Sequence, residues 1–290
     1  MAVAPVGIVI ATRDRRAPLL AALERLRALP EQPPIVVVDN GSTDGSPAAV
    51  RAAYPGVAVI ELAHNAGAGA RTVGARALPT PLVAFNDDDS WWAPGALTRA
   101  VALFEAHRRV GLLAARVLVG AQERLDPTCA AMEASPLHDA GIPGPAVLGF
   151  VACGAVVRRD AFLGVGGFDR RYGIGGEERR LALDLAAAGW VLAYAPDLVV
   201  HHHPDAGGAP RPGRLARQAR NDLWSAWLRR PLPSALRETA ALLTDLARHD
   251  RRLAARVAGA ALAGLPWVVR ERRVVPPRVE RALRSIDAVR

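Results

Sequence analysis

The chain has 290 residues, 51% of them apolar, with a formal net charge of +9. That apolar share is ample for a core and excludes wholesale disorder, and the length fits one large domain or one domain with an appendage. Residues 1–210 hold 19 Arg and 21 acidic residues, a net of −2, while residues 211–290 hold 18 Arg and 7 acidic residues, a net of +11, so the basic character belongs to a tail.

Val6 to Ala11 is a β-branched run that predicts a first strand, followed by the polar loop Thr12-Arg13-Asp14-Arg15-Arg16. Pro18 opens a helix with Leu19, Leu20, Leu23 and Leu26 at helical spacing, ending before Pro30. Ile35 to Val38 predicts a second strand that runs into Asp39-Asn40-Gly41-Ser42-Thr43-Asp44-Gly45, and Ser46-Pro47 starts another helix. Val57 to Leu62 is a third strand, Gly67 to Arg71 begins a small-residue helix, and Leu82 to Phe85 is a fourth strand ending in Asn86-Asp87-Asp88-Asp89. Strands alternating with helices predict an α/β fold with a mostly parallel sheet and helices on both faces.

Gly95 to His107 then predicts a helix and Gly111 to Val119 a strand. Residues 120–147 show little periodicity and read as a long loop, either a lid or an acceptor-binding segment. Phe150 to Val157 is strand-like, Gly166-Gly167-Phe168-Asp169 is a turn, and Glu177 to Ala188 is a helix capped by Gly189. Val191 to Ala195 and Leu198 to His203 are strand-like and broken at Pro196. The Pro- and Gly-rich stretch 204–213 reads as a linker between a catalytic domain, 1–204, and a basic helical extension, 214–290. Helices are expected there over Arg214–Trp227, Ser234–Asp245 and Arg251–Leu262. Cys129 and Cys153 lack zinc-site spacing and suit a reducing cytoplasm. Met1 to Pro5 has no basic segment, which reads against a signal peptide, and no run reaches the ~18 apolar residues of a membrane span.

Ligands of open α/β sheets bind beyond the carboxyl ends of the strands, where Asp39 and Asp87-Asp88-Asp89 fall. Asp87 and Asp89 stand at i and i+2, so in an extended segment their carboxylates share one face and Asp88 takes the other. Two such carboxylates can chelate Mg2+ or Mn2+ against diphosphate oxygens, and the plainer alternative is a solvated acidic turn. Asp39 can accept from the imide N–H of uracil or thymine, bind ribose hydroxyls, or only hold a turn. Arg71 suits a phosphate, or is a surface residue. Glu177-Glu178 opens a helix, either as dipole partners or as a like-charge pair whose repulsion raises a pKa toward that of a general base. In His201-His202-His203, alternation sets His202 apart from its neighbours, and one His added to two Asp completes a metal site.

These pieces, in this order, resemble family 2 glycosyltransferases, inverting enzymes of the GT-A fold, from about Val6 to His203. Ile8-Val9-Ile10-Ala11-Thr12 with Arg13-Asp14-Arg15 is similar to the family's opening strand and T-x-N-R loop, with Asp14 in place of Asn. Val37 to Ser46 is similar to its second strand and turn, where the residue matching Asp39 contacts the base. Asn65-Ala66-Gly67 through Arg71 and Gly74 matches its N-x-G…A-R-N-x-G segment, with Thr72 in place of Asn, and Asp87-Asp88-Asp89 its metal-binding DxD. Gly166-Gly167-Phe168-Asp169 matches its G-G-F-D turn beside the acceptor, Gly176-Glu177-Glu178 its G-E-D, and Val199-Val200-His201-His202 its V-V-Y-H. Two departures are a Glu, one methylene longer, at the base position 178, and Arg180…Asp184, an i,i+4 pair with its usual signs exchanged.

The resemblance implies a metal-dependent, inverting hexosyl- or deoxyhexosyltransferase moving a sugar from a UDP- or dTDP-sugar to an acceptor hydroxyl, in cell-envelope or secondary-metabolite glycoside synthesis. Glu178 would be the base. Thr12, Arg13, Asp39, Asn40, Arg71, Asp87 and Asp88 would lie at the donor, Asp87, Asp89 and His202 at Mn2+ or Mg2+, and Glu177, Gly167, Phe168 and Trp91 on the acceptor side. One rival is a nucleotidyltransferase, though the Thr12–Arg16 loop lacks the glycines that such an enzyme carries. The other is a nucleotide-sugar-binding protein without catalysis. Arg214, Arg217, Arg220, Trp224, Trp227, Arg229 and Arg230 suit an interfacial helix at an anionic membrane, giving a cytoplasmic enzyme peripheral to the inner face. A helical cap on the catalytic domain or a homo-oligomer interface accounts for the same tail equally well. Nucleic acid is disfavoured because no recognition module accompanies the charge.

Overall fold

The computed structural model describes residues 4–139, 141–204 and 213–289, so the expected linker falls outside it apart from Pro204 and Gly213. The first half alternates β1 (Val6–Thr12), α1 (Arg16–Arg27), β2 (Ile35–Asp39), α2 (Ser46–Ala53), β3 (Ala58–Glu61), α3 (Gly69–Ala77) and β4 (Leu82–Asn86). The strands pair in parallel in the order β3-β2-β1-β4. All five side chains of β2 and of β4 are buried, which is why these segments read as unbroken apolar runs. Gly74 lets α3 lie close against the sheet, since a Cβ there would stand 2.5 Å from Val9 Cγ1 and 3.0 Å from Val38 Cγ2.

The second half contributes β5 (Ser90–Trp92), α4 (Ala96–Ala106), β6 (Val110–Val119), β7 (Arg124–Leu125), α5 (Pro127–Glu133), β8 (Ala155–Arg158), α6 (Arg159–Gly164), α7 (Glu177–Ala187) and β9 (Val191–His202). Among the described residues one sheet results, ordered β3-β2-β1-β4-β8-β6-β9-β5, with β7 added to β6. It is parallel through β4. β8 then runs antiparallel to both β4 and β6, and β9 is parallel to β6.

Two expectations about this half need correction. Residues 120–147 are not one loop, because β7 hairpins back onto β6 and α5 follows. Asp126 caps that helix by accepting from the Thr128 N–H at 2.7 Å, and Pro127 takes its first turn, so the start signal was present but the helix is too short to show a period. Nor does Pro196 break the strand. The register of β9 on β6 jumps from Ala195 to Val199 at that point, and a bulge is where a residue without an N–H is tolerated.

Beyond Gly213 come α8 (Arg214–Arg229), α9 (Leu232–His249), α10 (Arg251–Ala263), α11 (Leu265–Glu271) and α12 (Pro277–Asp287). The sequence reading anticipated the first three. The other two are short, and α12 is mostly polar, with only Val279, Glu280 and Leu283 buried. Val275, Val279 and Leu283 nevertheless join the main core of the sheet, and the Arg278 guanidinium donates to the Ala186 and Ala187 carbonyls at the C-terminus of α7.

Of the residues expected on the interfacial face of α8, Arg214 and Arg217 are exposed, but Trp224, Arg229 and Arg230 are buried, which corrects their reading as membrane-facing. Trp224 donates through Nε1 to the Ala261 carbonyl at 2.9 Å and meets Tyr172 and Trp267 edge-on, and Trp227 donates to Thr239. Arg229 pairs with Asp184, and Arg230 with Glu280, Glu238 and Asp287. The helix therefore packs between α7 and the helices of the extension. The sign-exchanged pair predicted on α7 is present too: Arg180 Nε lies 3.5 Å from Asp184 Oδ2.

Candidate active site

The carboxylates after β4 sit on a tight turn, and the turn fixes their directions. Asn86, fully buried, donates through Nδ2 to the Ser90 carbonyl (2.7 Å) and Ser90 Oγ (3.0 Å), while Ser90 Oγ accepts from the Asp87 N–H. These two small polar residues were not singled out from the sequence, although Asn and Ser flanking an acidic triplet are turn-closing chemistry. Asp88 points inward, accepting from Thr12 Oγ1 at 2.8 Å and from Arg15 Nε at 2.6 Å. Burial pushes its carboxyl up to about 6, against the pull of Arg15 and Thr12. Thr12 and Asp88, both expected at the donor, are thus engaged with each other beneath the strand ends.

Asp87 and Asp89 turn the other way, toward β9. His202 Nε2 lies 3.2 Å from Asp89 Oδ1, and one ligand atom from each of Asp87, Asp89 and His202 falls within 4.8 Å of the others. Each carboxylate also has one oxygen held by a guanidinium, Asp87 by Arg71 and Asp89 by Arg15. Burial disfavours a charged His202, yet its hydrogen bond to Asp89 and the field of Asp87 and Asp89 prevail and raise its pKa. Two carboxylate oxygens and an imidazole nitrogen on so small a perimeter, in a field that favours positive charge, fit a hard divalent cation.

Arg71 joins this cluster to a second one. It is buried, and burial works against its charge, but Asp87, Glu177 and Glu178 outweigh that cost and keep it cationic. Its place is therefore between the metal-type cluster and the acidic pair at the start of α7, where a surface residue had been the alternative. Glu177 is spent locally: it is 3% exposed and accepts from the Gly175 N–H. Glu178, part-buried on the next position, has its carboxyl pushed up to about 8 by burial and then by the charge of Glu177. The two carboxyls share a hydrogen bond, and Glu178 is the more exposed of them, which makes it the candidate to take a proton from a bound molecule.

The glycine-rich turn ahead of α7 is clamped by the extension. Asn221 on α8, fully buried, donates through Nδ2 to the Tyr172 carbonyl at 2.8 Å and the Gly175 carbonyl at 2.6 Å. The other side of the turn touches the start of α3: the Ala68 N–H donates to the Gly173 carbonyl, and a Cβ on Gly67 would stand 2.6 Å from Gly173 Cα. Asn221→Ala strands the Gly175 carbonyl, leaves that of Tyr172 with Arg220 alone, and is expected to cost about 1–3 kcal/mol in urea unfolding. As a positioning residue it should also lower kcat by about tenfold to hundredfold with little change in donor KM.

On the donor side, Asp39 is 2% exposed; its Oδ2 accepts from the Gly41 and Ser42 N–H groups, and its Oδ1 is buried with no partner. A buried acceptor without a donor suits an incoming N–H or hydroxyl. Asn40 is different, because its amide accepts from the Ala66 N–H and donates to the Gly67 carbonyl, so it secures the 65–67 loop. Arg13 stands exposed on the rim, 3.4 Å from Asp14. Asp14 adopts φ +51, a conformation that Asn and Asp tolerate, and accepts from the Thr43 N–H; this is why Asp can stand where the family pattern has Asn.

The residues expected on the acceptor side do not gather. Phe168 is 4% exposed in a trio with Phe85 and Phe162, and its backbone is tied to Thr72 Oγ1 in both directions. Its ring is buried in the core and lies under the Arg71 guanidinium at 5.9 Å. Gly167 is there for its left-handed φ of +69 and because a Cβ would lie 2.6 Å from that same hydroxyl, and its backbone lines a cavity of about 450 Å³ with Asp169, Arg171 and Arg180. Trp91 lies against His201, His203 and the guanidinium of Arg25 and lines a cavity of about 170 Å³ with Asp89.

Comparison with known proteins agrees with this geometry. The family described as glycosyl transferase family 2 matches residues 7–165. The chain is similar to an N-acetylglucosaminyl-diphospho-decaprenol L-rhamnosyltransferase of Mycobacterium tuberculosis, at 28% identity over 256 aligned positions, covering 73% of this chain and 82% of that protein. Among solved structures it is similar to the mannosyltransferase PcManGT from Pyrobaculum calidifontis in complex with GDP-Man and Mn2+, with a TM-score of 0.58, 22% identity, and 99% of this chain and 87% of that chain covered. S. aureus TarS 1-349 in complex with UDP-GlcNAc gives a TM-score of 0.59 at 14% identity, covering 84% and 72%.

Proposed function

This chain belongs to glycosyl transferase family 2, and from that premise we propose that it transfers a deoxyhexose such as rhamnose from a dTDP- or UDP-sugar to a hydroxyl of a sugar carried on a prenyl diphosphate. It is a GT-A fold glycosyltransferase, with a cluster suited to a divalent cation, that takes its sugar from a nucleotide donor. The deoxyhexose and the lipid-linked acceptor rest on the similarity to the mycobacterial rhamnosyltransferase.

The observation that carries the reading is one buried guanidinium, Arg71, set between two acidic groups with different tasks. On one side, Asp87, Asp89 and His202 would hold the cation, Mn2+ or Mg2+, whose charge offsets that of the leaving diphosphate. On the other, Glu178 takes the proton of the acceptor hydroxyl. The acceptor oxygen bonds to the anomeric carbon as the carbon–oxygen bond to the diphosphate breaks, its electron pair leaving with the nucleoside diphosphate. One base and one in-line displacement invert the anomeric centre. Asp39, with its unpartnered Oδ1, would receive the N–H of the base or a ribose hydroxyl.

The test is a screen of dTDP- and UDP-sugars with and without Mn2+ or Mg2+, reading melting temperature and released nucleoside diphosphate. Stabilisation that needs metal and nucleotide together, with slow donor hydrolysis, is the expected result. No stabilisation and no turnover with any sugar nucleotide would sink the reading.

A further inference from the structure

The tail is strongly basic, and several of its carboxylates are paired with arginines: Glu238 with Arg179 and Arg230, Glu271 with Arg171, Glu280 and Asp287 with Arg230, while Asp245 and Asp250 are exposed. Of its arginines, Arg256, Arg270 and Arg273 are exposed. Between them lies the elbow where α10 meets α11 at a bend of 52°. Leu262, Leu265 and Val269 project from this elbow at 58%, 40% and 65% exposure, beside exposed Ala263 and Pro266. No single helix here is long and apolar enough to cross a membrane, but α10 and α11 together have the length and composition of a broken span.

The elbow is braced from within. Gly264 at the corner is buried, a Cβ on it would lie 2.6 Å from the Trp224 indole, and that indole donates to the Ala261 carbonyl. Trp224 in turn packs on Tyr172, whose carbonyl is held by Asn221 together with that of Gly175. A rigid apolar corner is thus linked by side-chain contacts to the turn that carries Glu178.

We propose that the α10–α11 elbow docks on the surface of an anionic phospholipid bilayer, with Leu262, Leu265 and Val269 in the acyl boundary and Arg256, Arg270 and Arg273 on the headgroups. Exposed apolar side chains accompanied by exposed arginines, on a tail whose net charge is strongly positive, complement a negatively charged lipid face. A second copy of this surface would bring like charges together. The proposal deepens the lipid-linked acceptor reading and rests on it for its purpose, since docking keeps the base near a substrate that lives in the membrane.

The test is flotation of the full chain with vesicles of phosphatidylcholine alone or mixed with phosphatidylglycerol, for the wild type, Leu262→Asp/Val269→Asp and Arg256→Glu/Arg273→Glu. The wild type is expected to float with the anionic vesicles, and each double variant to lose about tenfold or more in partition while keeping metal-dependent donor hydrolysis. Three results would overturn the proposal: no flotation of the wild type, flotation unchanged in both variants, or a lipid-free dimer abolished by the same substitutions. Flotation without any nucleotide-sugar turnover would leave the elbow standing and fell the functional reading instead; turnover without flotation would do the reverse.

Discussion

Glu178→Gln is expected to lower sugar transfer by about 10²–10⁴-fold while leaving donor affinity near that of the wild type. The amide fills the same space, cannot take a proton, and touches none of the groups at Asp39 or Asp87. The pH dependence sharpens the test. The Glu178 carboxyl is pushed up to about 8, so the wild-type rate should climb from neutral pH toward that value as the base ionises. The residual rate of the variant should lack this limb. Stability should move the opposite way. The folded pKa lies above the ordinary 4.5, so between those two values the folded protein holds a proton that the unfolded chain has released. Unfolding free energy therefore falls as pH rises through that window, and Glu178→Gln removes this part of the slope. A variant with full transfer activity and an unchanged profile would contradict the assignment.

Asp89→Ala is expected to abolish the metal dependence and to cost about 10³-fold in turnover. Removing one of three ligands forfeits several kcal/mol of charge stabilisation at the leaving group, at about 1.4 kcal/mol per factor of ten. The readout besides activity is the rise in melting temperature on adding Mn2+, which should vanish. Asp197→Ala, at an exposed carboxylate paired with Arg99, should keep that rise. If Asp89→Ala still responds to metal as the wild type does, the three-residue cluster is not where the cation binds.

Much of this site could be read from the sequence, because strand ends and short motifs are local. Asp87, Asp89 and His202 are 115 residues apart at the extremes, yet each follows an apolar run and motif order places them together. The direction of Asp88 followed from alternation, although a turn held by Asn86 and Ser90, and not an extended strand, produces it. What stayed hidden depends on distant packing. Phe168 lies in a motif next to the acceptor side in the family pattern, but whether its ring faces outward or joins Phe85 and Phe162 is decided by elements far apart in sequence. The tail misled for the same reason. Arg229 and Arg230 look like a solvent-facing basic pair until Asp184 and Glu280 are seen against them.

The place of α12 has a consequence for how the molecule is made. Val275, Val279 and Leu283 join the core cluster of the sheet, and α12 packs against α7. While the nascent chain is still being threaded through the ribosome, the part of the core that these side chains cover stays exposed. Assembly is completed only after residue 283 emerges, so half-made chains are the ones most in need of a chaperone.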